Sequence, residues 1–260
     1  MTEELRRIAV EDAPTPRFGP HAEIYARYRP TYPDHVFERL KAGCGAPFDH
    51  AVDLGAGTGQ ATGALLSHFA RVTAVEPDAD MAALIPSHER LEARVQTAEE
   101  AEFPPGSIDA VLAATCFHWM DQAKVSANVG TWLRPGGAFM AVSYGLVRVV
   151  GPGKAEAAYR RVEAQWKGLK HRIVRDWRSY DAPMRQSGAF SRVEKIKETL
   201  HFEWRAERAA GFFTTTSFGA ARAEERGGAE AFAAEMTRAF GGVEAQLRLE
   251  ADFAGAIGIV

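Results

Sequence analysis

The residues of this chain best suited to chemistry gather around HAVDLGAGTGQ, His50 to Gln60. A short apolar stretch carries Asp53 into Gly55, Gly57 and Gly59, which alternate with the small residues Ala56 and Thr58. Glycine reaches backbone angles closed to other residues, and its missing side chain lets a ligand touch the main chain. A helix beginning near Gln60 would aim its free amide donors into the bend, so the turn is built to hold something small and polar. Glu76 ends a second β-branched stretch, Arg71 to Glu76, and brings a carboxylate able to accept hydroxyl protons. His118 follows a third apolar run; its unperturbed pKa of about 6.5 suits either removing a proton or orienting a substrate.

Spacing separates the possible ligands. The dinucleotide fingerprint is G-x-G-x-x-G/A, and here its third place is Gln60. The glycines instead run D-x-G-x-G-x-G, with Asp53, Gly55, Gly57 and Gly59 at the fixed positions. This segment resembles motif I of the class I S-adenosylmethionine (SAM)-dependent methyltransferases. The resemblance implies that Glu76 accepts both ribose hydroxyls, that Pro77, Asp78 and Met81 flank the adenine, and that Ala98 and Glu99 lie along its edge. Tyr25-Ala-Arg-Tyr-Arg-Pro-Thr-Tyr-Pro33 resembles the lead-in segment of the branch that includes trans-aconitate methyltransferases. In relatives such a segment folds over the methionine end of SAM. Tyr25, Tyr28 and Arg29 are therefore expected to close the site, with Arg29 offering its planar fork to a carboxylate. The run His118-Trp119-Met120-Asp121 and the LRPGG of Leu133–Gly137 are further markers of that branch. One departure is Thr215-Thr216-Ser217-Phe218, which stands where relatives often carry T-W-S, so their substrate contacts do not transfer directly.

The elements that must position these residues follow from periodicity. Ile108–Thr115 is nearly continuous apolar sequence, as a central parallel strand buried on both faces should be, and Thr115 marks its end. Asp121 can cap a helix bearing Val125, Val129 and Trp132; Phe139–Tyr144 reads as a fifth strand ending in Tyr144. Asp34 is expected to cap the helix of Val36, Phe37 and Leu40. Beyond Tyr144 an apolar stripe of Ala155, Ala158, Tyr159, Val162, Trp166 and Leu169, with Ile173 to Tyr180 adding Trp177 and Tyr180, suggests an inserted helical cap; the aromatics Trp166, Trp177, Tyr180, Phe212 and Phe213 suggest a partly apolar or planar acceptor. Val193–Trp204 reads as strand six, a helix falls near 228–240, and the chain closes on a strand over Ala251–Val260. The resemblance then implies an α/β, Rossmann-like seven-stranded sheet, its last strand antiparallel, with helices on both faces. The expected divisions are an arm and site-closing segment (1–33), a SAM-binding core (34–145), a cap on the substrate side (146–190), and the remaining sheet with its helices (191–260). A partly apolar acceptor pocket would be lined by Tyr28, His118, Trp119, Tyr144, Trp166 and Phe213.

Bulk properties narrow the function classes. With 46% hydrophobic and 25% charged residues and a net charge of -3, the chain has the balance of a soluble globule. Nucleic acid and anionic membrane are disfavoured as partners, because phosphate neutralisation needs clustered Lys and Arg; the nearest such run is Lys167–Arg178. Cys44 and Cys116 have no metal or redox spacing, and the histidines lack zinc spacings, so no metal is expected. The N-terminus has no signal-peptide core, so a cytoplasmic protein, monomer or homodimer, is expected. Three functions follow: a methyltransferase moving a methyl from SAM to an oxygen or nitrogen of a small molecule, leaving S-adenosylhomocysteine; a SAM-binding protein without transfer; and, disfavoured by Gln60, a nicotinamide-dependent oxidoreductase.

Overall fold

Short strands of Val, Ala, Leu and Ile alternate with amphipathic helices, and that alternation builds a central sheet. The structure, a computed structural model, describes residues 22–145, 147–151, 153–166 and 179–260. Residues 1–21 of the arm and the basic run at 167–178, with Leu169, Ile173 and Trp177, lie outside the described residues; so do the side chains of Val162 and Trp166.

The chain opens with α1 (Ala22–Tyr28) and α2 (Asp34–Cys44). Alternating units follow: β1 (His50–Leu54), α3 (Thr62–His68), β2 (Arg71–Val75), the single turn α4 (Ala79–Ala82), β3 (Leu91–Arg94), β4 (Ile108–Ala114), α5 (Gln122–Trp132) and β5 (Leu133–Tyr144). Beyond β5 come β6 (Arg148–Val150), α6 (Lys154–Trp166), α7 (Asp181–Ser187) and β7 (Arg192–Arg205). Last are α8 (Ala206–Thr214), α9 (Ser217–Glu225), α10 (Ala229–Ala239) and β8 (Gln246–Ile259).

The sheet runs β3-β2-β1-β4-β5-β8-β7, with the first five strands parallel and β8 antiparallel to both its neighbours. This is the seven-stranded arrangement the resemblance implies, with one addition. Three-residue β6 pairs with Arg248–Glu250 of β8 and prolongs the line of β5 after a break at Gly145. Alternate residues of the central strands serve opposite cores. Ala110 and Leu112 of β4 join Met140 and Val142 of β5 on one face, while Val111, Ala113, Phe139 and Ala141 meet on the other. On the first face α2 contributes Val36, Phe37 and Leu40; on the second α5 contributes Val125, Val129 and Trp132.

Three details refine the sequence reading. Pro33, with φ near -61°, occupies the cap position of α2, so Asp34 is the first helical residue and instead accepts from His68 Nε2 at 3.0 Å. The cap has two origins. α7 lies back on the second face of the sheet through Tyr180 and Met184, whereas α6 joins the core of the first face where α8–α10 extend it, the tilted rings of Tyr159 and Phe213 lying 5.5 Å apart. Finally, Arg134 of LRPGG is a staple at the far end of the sheet. Its Nε donates to Asp109 at 2.6 Å and its Nη2 to the carbonyls of Cys44, Gly45 and Ala46; the same Asp109 accepts the amides of Asp49 and His50. Among the described residues no helix is long and apolar enough to cross a membrane.

Candidate active site

Because β1, β2, β4 and β5 are parallel, their last residues, Leu54, Val75, Ala114 and Tyr144, lie on one edge of the sheet, and the turns beyond them form one crevice. The glycine turn is its floor. Gly55 and Gly57 both hold positive φ, 64° and 60°. The amides of Gly55 and Ala56 donate back to Val75, at 2.8 and 3.1 Å, which ties the turn to the tip of β2. A Cβ on Gly55 would stand 2.7 Å from Cys116 Cβ and 2.8 Å from its Sγ, so the turn after β4 is packed against the turn after β1 at main-chain distance. Gly57 differs. The nearest atoms to a Cβ there are Met81 Cε at 3.5 Å, Gln60 Oε1 at 3.8 Å and Tyr25 Cε1 at 3.9 Å, so these three surround a space that the missing side chain leaves open.

The two acids divide the work. Glu76, at the tip of β2, accepts the Gly57 amide at 2.8 Å through Oε2 and the Asp78 amide at 3.0 Å through Oε1. A carboxylate has about four lone-pair sites, so capacity for further donors remains on both oxygens. Burial raises the Glu76 pKa, and the two amide bonds oppose that. Asp53 is 1% exposed and sits beneath the turn, accepting the Thr62 hydroxyl at 2.6 Å. Burial lifts its pKa from 3.8 to about 7, the Thr62 bond opposing and Glu76 adding to the rise. Asp53 therefore shapes the turn from below by holding the first residue of α3. Gly59 packs against Ile85 and Pro86. Met81 is buried; Asp78 accepts the amides of Asp80 and Met81, fixing α4, while Pro77 is exposed.

The lead-in segment forms the roof. Arg29 Cζ lies 4.6 Å from the Tyr25 ring and 5.4 Å from that of Phe212. Its Nη1 donates to Tyr144 Oη at 3.0 Å and its Nη2 to the Thr215 carbonyl at 2.8 Å. One planar fork thus joins α1, the tip of β5 and the end of α8. Tyr28 turns away from the crevice onto α8, where a Cβ on Gly211 would lie 2.4 Å from its ring. Tyr32 completes the wall. Its hydroxyl is 2.6 Å from Thr115 Oγ1, and its ring lies 5.9 Å from that of Tyr144. Thr115 has φ of 61°, uncommon for a β-branched residue, and the Tyr32 bond together with its amide bond to Val142 at 2.7 Å holds it there.

The remaining sequence-expected residues divide clearly. Ala98 is buried in the core beside β4, and Glu99 uses Oε1 to accept the Asp121 amide at 2.6 Å. His118 lies in a 3-10 turn over Phe117–Trp119; its described contacts run to Trp119 and Tyr180, not to the glycine turn. Trp119 is 39% exposed. Phe213 is fully buried among Tyr159, Phe212 and Phe240, and it is the adjacent Phe212 that reaches Arg29. Sequence reasoning gave Tyr32, Cys116 and Thr215 no site role, and it counted Tyr180 and Phe212 only among the aromatics that suggest a partly apolar acceptor. Tyr32 had a signal, being a tyrosine between Pro30 and Pro33, where α1 has ended and helical spacing no longer sets direction. The pairing of Tyr180 with His118 had none, the contact spanning 62 positions.

The open cradle at Gly57, the acid beside it and the aromatic roof suit a ligand with a hydroxyl-rich ring at one end and an anionic group at the other. Residues 52–141 match the methyltransferase domain family. The fold around it is that of the class I SAM-dependent methyltransferases. The cofactor of such a domain is S-adenosylmethionine. A methyltransferase-named protein of Dictyostelium discoideum is 30% identical over 153 residues, 57% of this chain and 58% of that protein. The chain spans about half the length of the curated relatives it matches. Among solved structures, a type II methyltransferase-named protein of Anaeromyxobacter dehalogenans superposes with a TM-score of 0.68 at 28% identity, covering 89% of this chain and 98% of that one. Phosphoethanolamine N-methyltransferase 2 of Haemonchus contortus, solved with phosphomonomethylethanolamine and S-adenosylhomocysteine, shares the fold with a TM-score of 0.53 at 15% identity, over 91% of this chain and 57% of that one.

One side-chain cluster lies away from the site. His68 takes Asp34 on Nε2 at 3.0 Å and Glu38 on Nδ1 at 3.2 Å, pinning α3 to α2.

Proposed function

We propose that the chain moves the methyl group of SAM to an oxygen or nitrogen of a small-molecule acceptor. The observation that carries this reading is the direct Glu76–Gly57 bond at the floor of a crevice whose roof is pinned by Arg29. In this reading Glu76 holds the ribose hydroxyls, Gly55, Gly57 and Gly59 let the main chain approach the ligand, and Asp53 braces the turn. Pro77, Met81, Ala98 and Glu99 frame the adenine. Tyr25 and Arg29 close over the methionine end, with Thr115 and Tyr144 at the strand tips beside it. Tyr28 serves this closure by docking α1 on α8.

The sulfonium of SAM supplies an activated methyl, so the chain's task is to place a nucleophile in line and keep water out. The roof suits that task, since Tyr25, Arg29, Tyr32 and Tyr144 wall the crevice with rings and one cation. The tyrosines make poor bases: burial pushes the Tyr25 pKa up to about 12 and raises that of Tyr32 well above its ordinary value. The acceptor side is assigned to His118, Trp119 and, from the cap, Trp166. The net charge of -3 favours a small acceptor over nucleic acid. The division at 33, 145 and 190, a monomer or homodimer, and a cytoplasmic location complete the proposal.

Calorimetric titration of purified protein with SAM and, separately, NADH tests the cofactor; binding of NADH in place of SAM would remove the reading. Release of S-adenosylhomocysteine over a panel of small acids, phenols and amines tests transfer. Tight SAM binding with no release across the panel would leave a binding protein instead.

A further inference from the structure

His118 is tied to a residue that the reaction scheme does not use. Its Nδ1 lies 2.7 Å from Tyr180 Oη. Tyr180 is 0% exposed; its ring is within 10° of parallel to that of His118 and stands edge-on to Phe117, centroids 5.2 Å apart. Phe117 is itself fully buried against Phe139, so the phenol hydroxyl is held in place by packing on the sheet. Two proton arrangements satisfy the contact. Either Tyr180 donates its O–H to Nδ1, or Nδ1–H donates to the phenol oxygen. The hydroxyl of a phenol, with a pKa of about 10, is a far better donor than a neutral imidazole N–H, and an imidazole lone pair is a far better acceptor than a phenol oxygen. Burial keeps this imidazole neutral, lowering its pKa from 6.5 to about 4.

We propose that Tyr180 is a positioning residue whose buried hydroxyl donates to Nδ1 of His118 and fixes the imidazole as the Nε2–H tautomer. His118 then offers the acceptor a hydrogen-bond donor and not a base. The acceptor would be of a class that presents a lone-pair oxygen or nitrogen to Nε2–H beside its nucleophile and does not depend on this histidine to lose a proton. The role toward the acceptor rests on the methyl-transfer reading; the tautomer does not.

Long-range proton–nitrogen NMR of the nitrogen-labelled, full-length protein with S-adenosylhomocysteine decides the tautomer without any acceptor. The expected spectrum has a pyridine-like Nδ1 and a pyrrole-like Nε2 for His118. In Tyr180→Phe, which keeps the ring and loses only the hydroxyl, the two tautomers should mix. A pyrrole-like Nδ1 in the wild type, or an unchanged pattern in Tyr180→Phe, would overturn the proposal; should that variant fail to fold, the wild-type spectrum still decides it. With any acceptor that releases S-adenosylhomocysteine, His118→Gln, whose amide N–H replaces Nε2–H, should turn over about fivefold or more faster than His118→Asn, whose amide sits at the Nδ1 position. Equal losses in both variants would overturn the donor role while leaving methyl transfer itself intact.

Discussion

Gly57 and Glu76 stand on neighbouring strand ends and are joined directly, the glycine amide donating to Oε2 at 2.8 Å while Oε1 takes the Asp78 amide at 3.0 Å. The carboxylate is therefore oriented before any ligand arrives. Glu76→Ala removes this acceptor and strands the Gly57 amide. Affinity for SAM should fall by more than about tenfold, or about 1.4 kcal/mol. Unchanged calorimetric affinity would show that the ribose lies elsewhere.

Adjacent glycines of the turn should fail in different ways. Gly55→Ala places a methyl 2.7 Å from Cys116 Cβ and should lower the melting temperature strongly. Gly57→Ala meets nothing closer than 3.5 Å, so its stability cost is the positive φ alone, about 1–2 kcal/mol. Its new methyl would intrude into the crevice, so SAM affinity should drop at least as much as in Glu76→Ala. Equal stability losses in both variants would refute this division.

Arg29 and Tyr144 should act as one unit. Arg29→Lys replaces a fork that reaches both Tyr144 and Thr215 with a point charge able to serve one of them. Hydrogen exchange over residues 22–33 should accelerate, with a smaller change in Tyr144→Phe. The double variant should show a coupling of about 0.5 kcal/mol or more. Strict additivity would mean that the roof does not depend on this bond.

Asp53 predicts a pH dependence. Its folded-state pKa is raised from 3.8 to about 7, so between those values the native protein binds the proton more tightly than the unfolded chain. Stability contributed by the protonated form is present below about pH 4 and is lost as pH rises toward about 7. Asp53→Asn, whose amide oxygen still accepts from Thr62, should become progressively more stable than the wild type across that window. Melting curves of the ligand-free proteins at successive pH values measure the difference, and a constant gap would contradict the assignment.

The Asp109–Arg134 pair should matter for folding and not for the cofactor. Asp109 is buried at the start of β4 and accepts two amides as well as Arg134 Nε. Asp109→Ala leaves those donors unpaired and should cost roughly 3–5 kcal/mol. Denaturant unfolding checks the loss. SAM affinity of the fraction that remains folded should stay within about twofold of the wild type, which corresponds to a few tenths of a kcal/mol.

The sequence by itself determined the order of the main strands, β6 excepted, and the tight turn that follows β1. Both are local: an apolar run such as Ile108–Ala114 has few alternatives to a buried strand, and three alternating glycines after Asp53 admit few structures besides a tight turn. The tertiary structure decided the roof. Tyr32 rather than Tyr28 faces Thr115, Phe212 rather than Phe213 reaches Arg29, and LRPGG serves as a staple at the opposite end of the sheet. Each of those outcomes depends on how elements far apart in sequence rotate against one another. A side chain's direction on a short helix or a proline-broken segment is set by the surface it meets, and no local pattern encodes that surface.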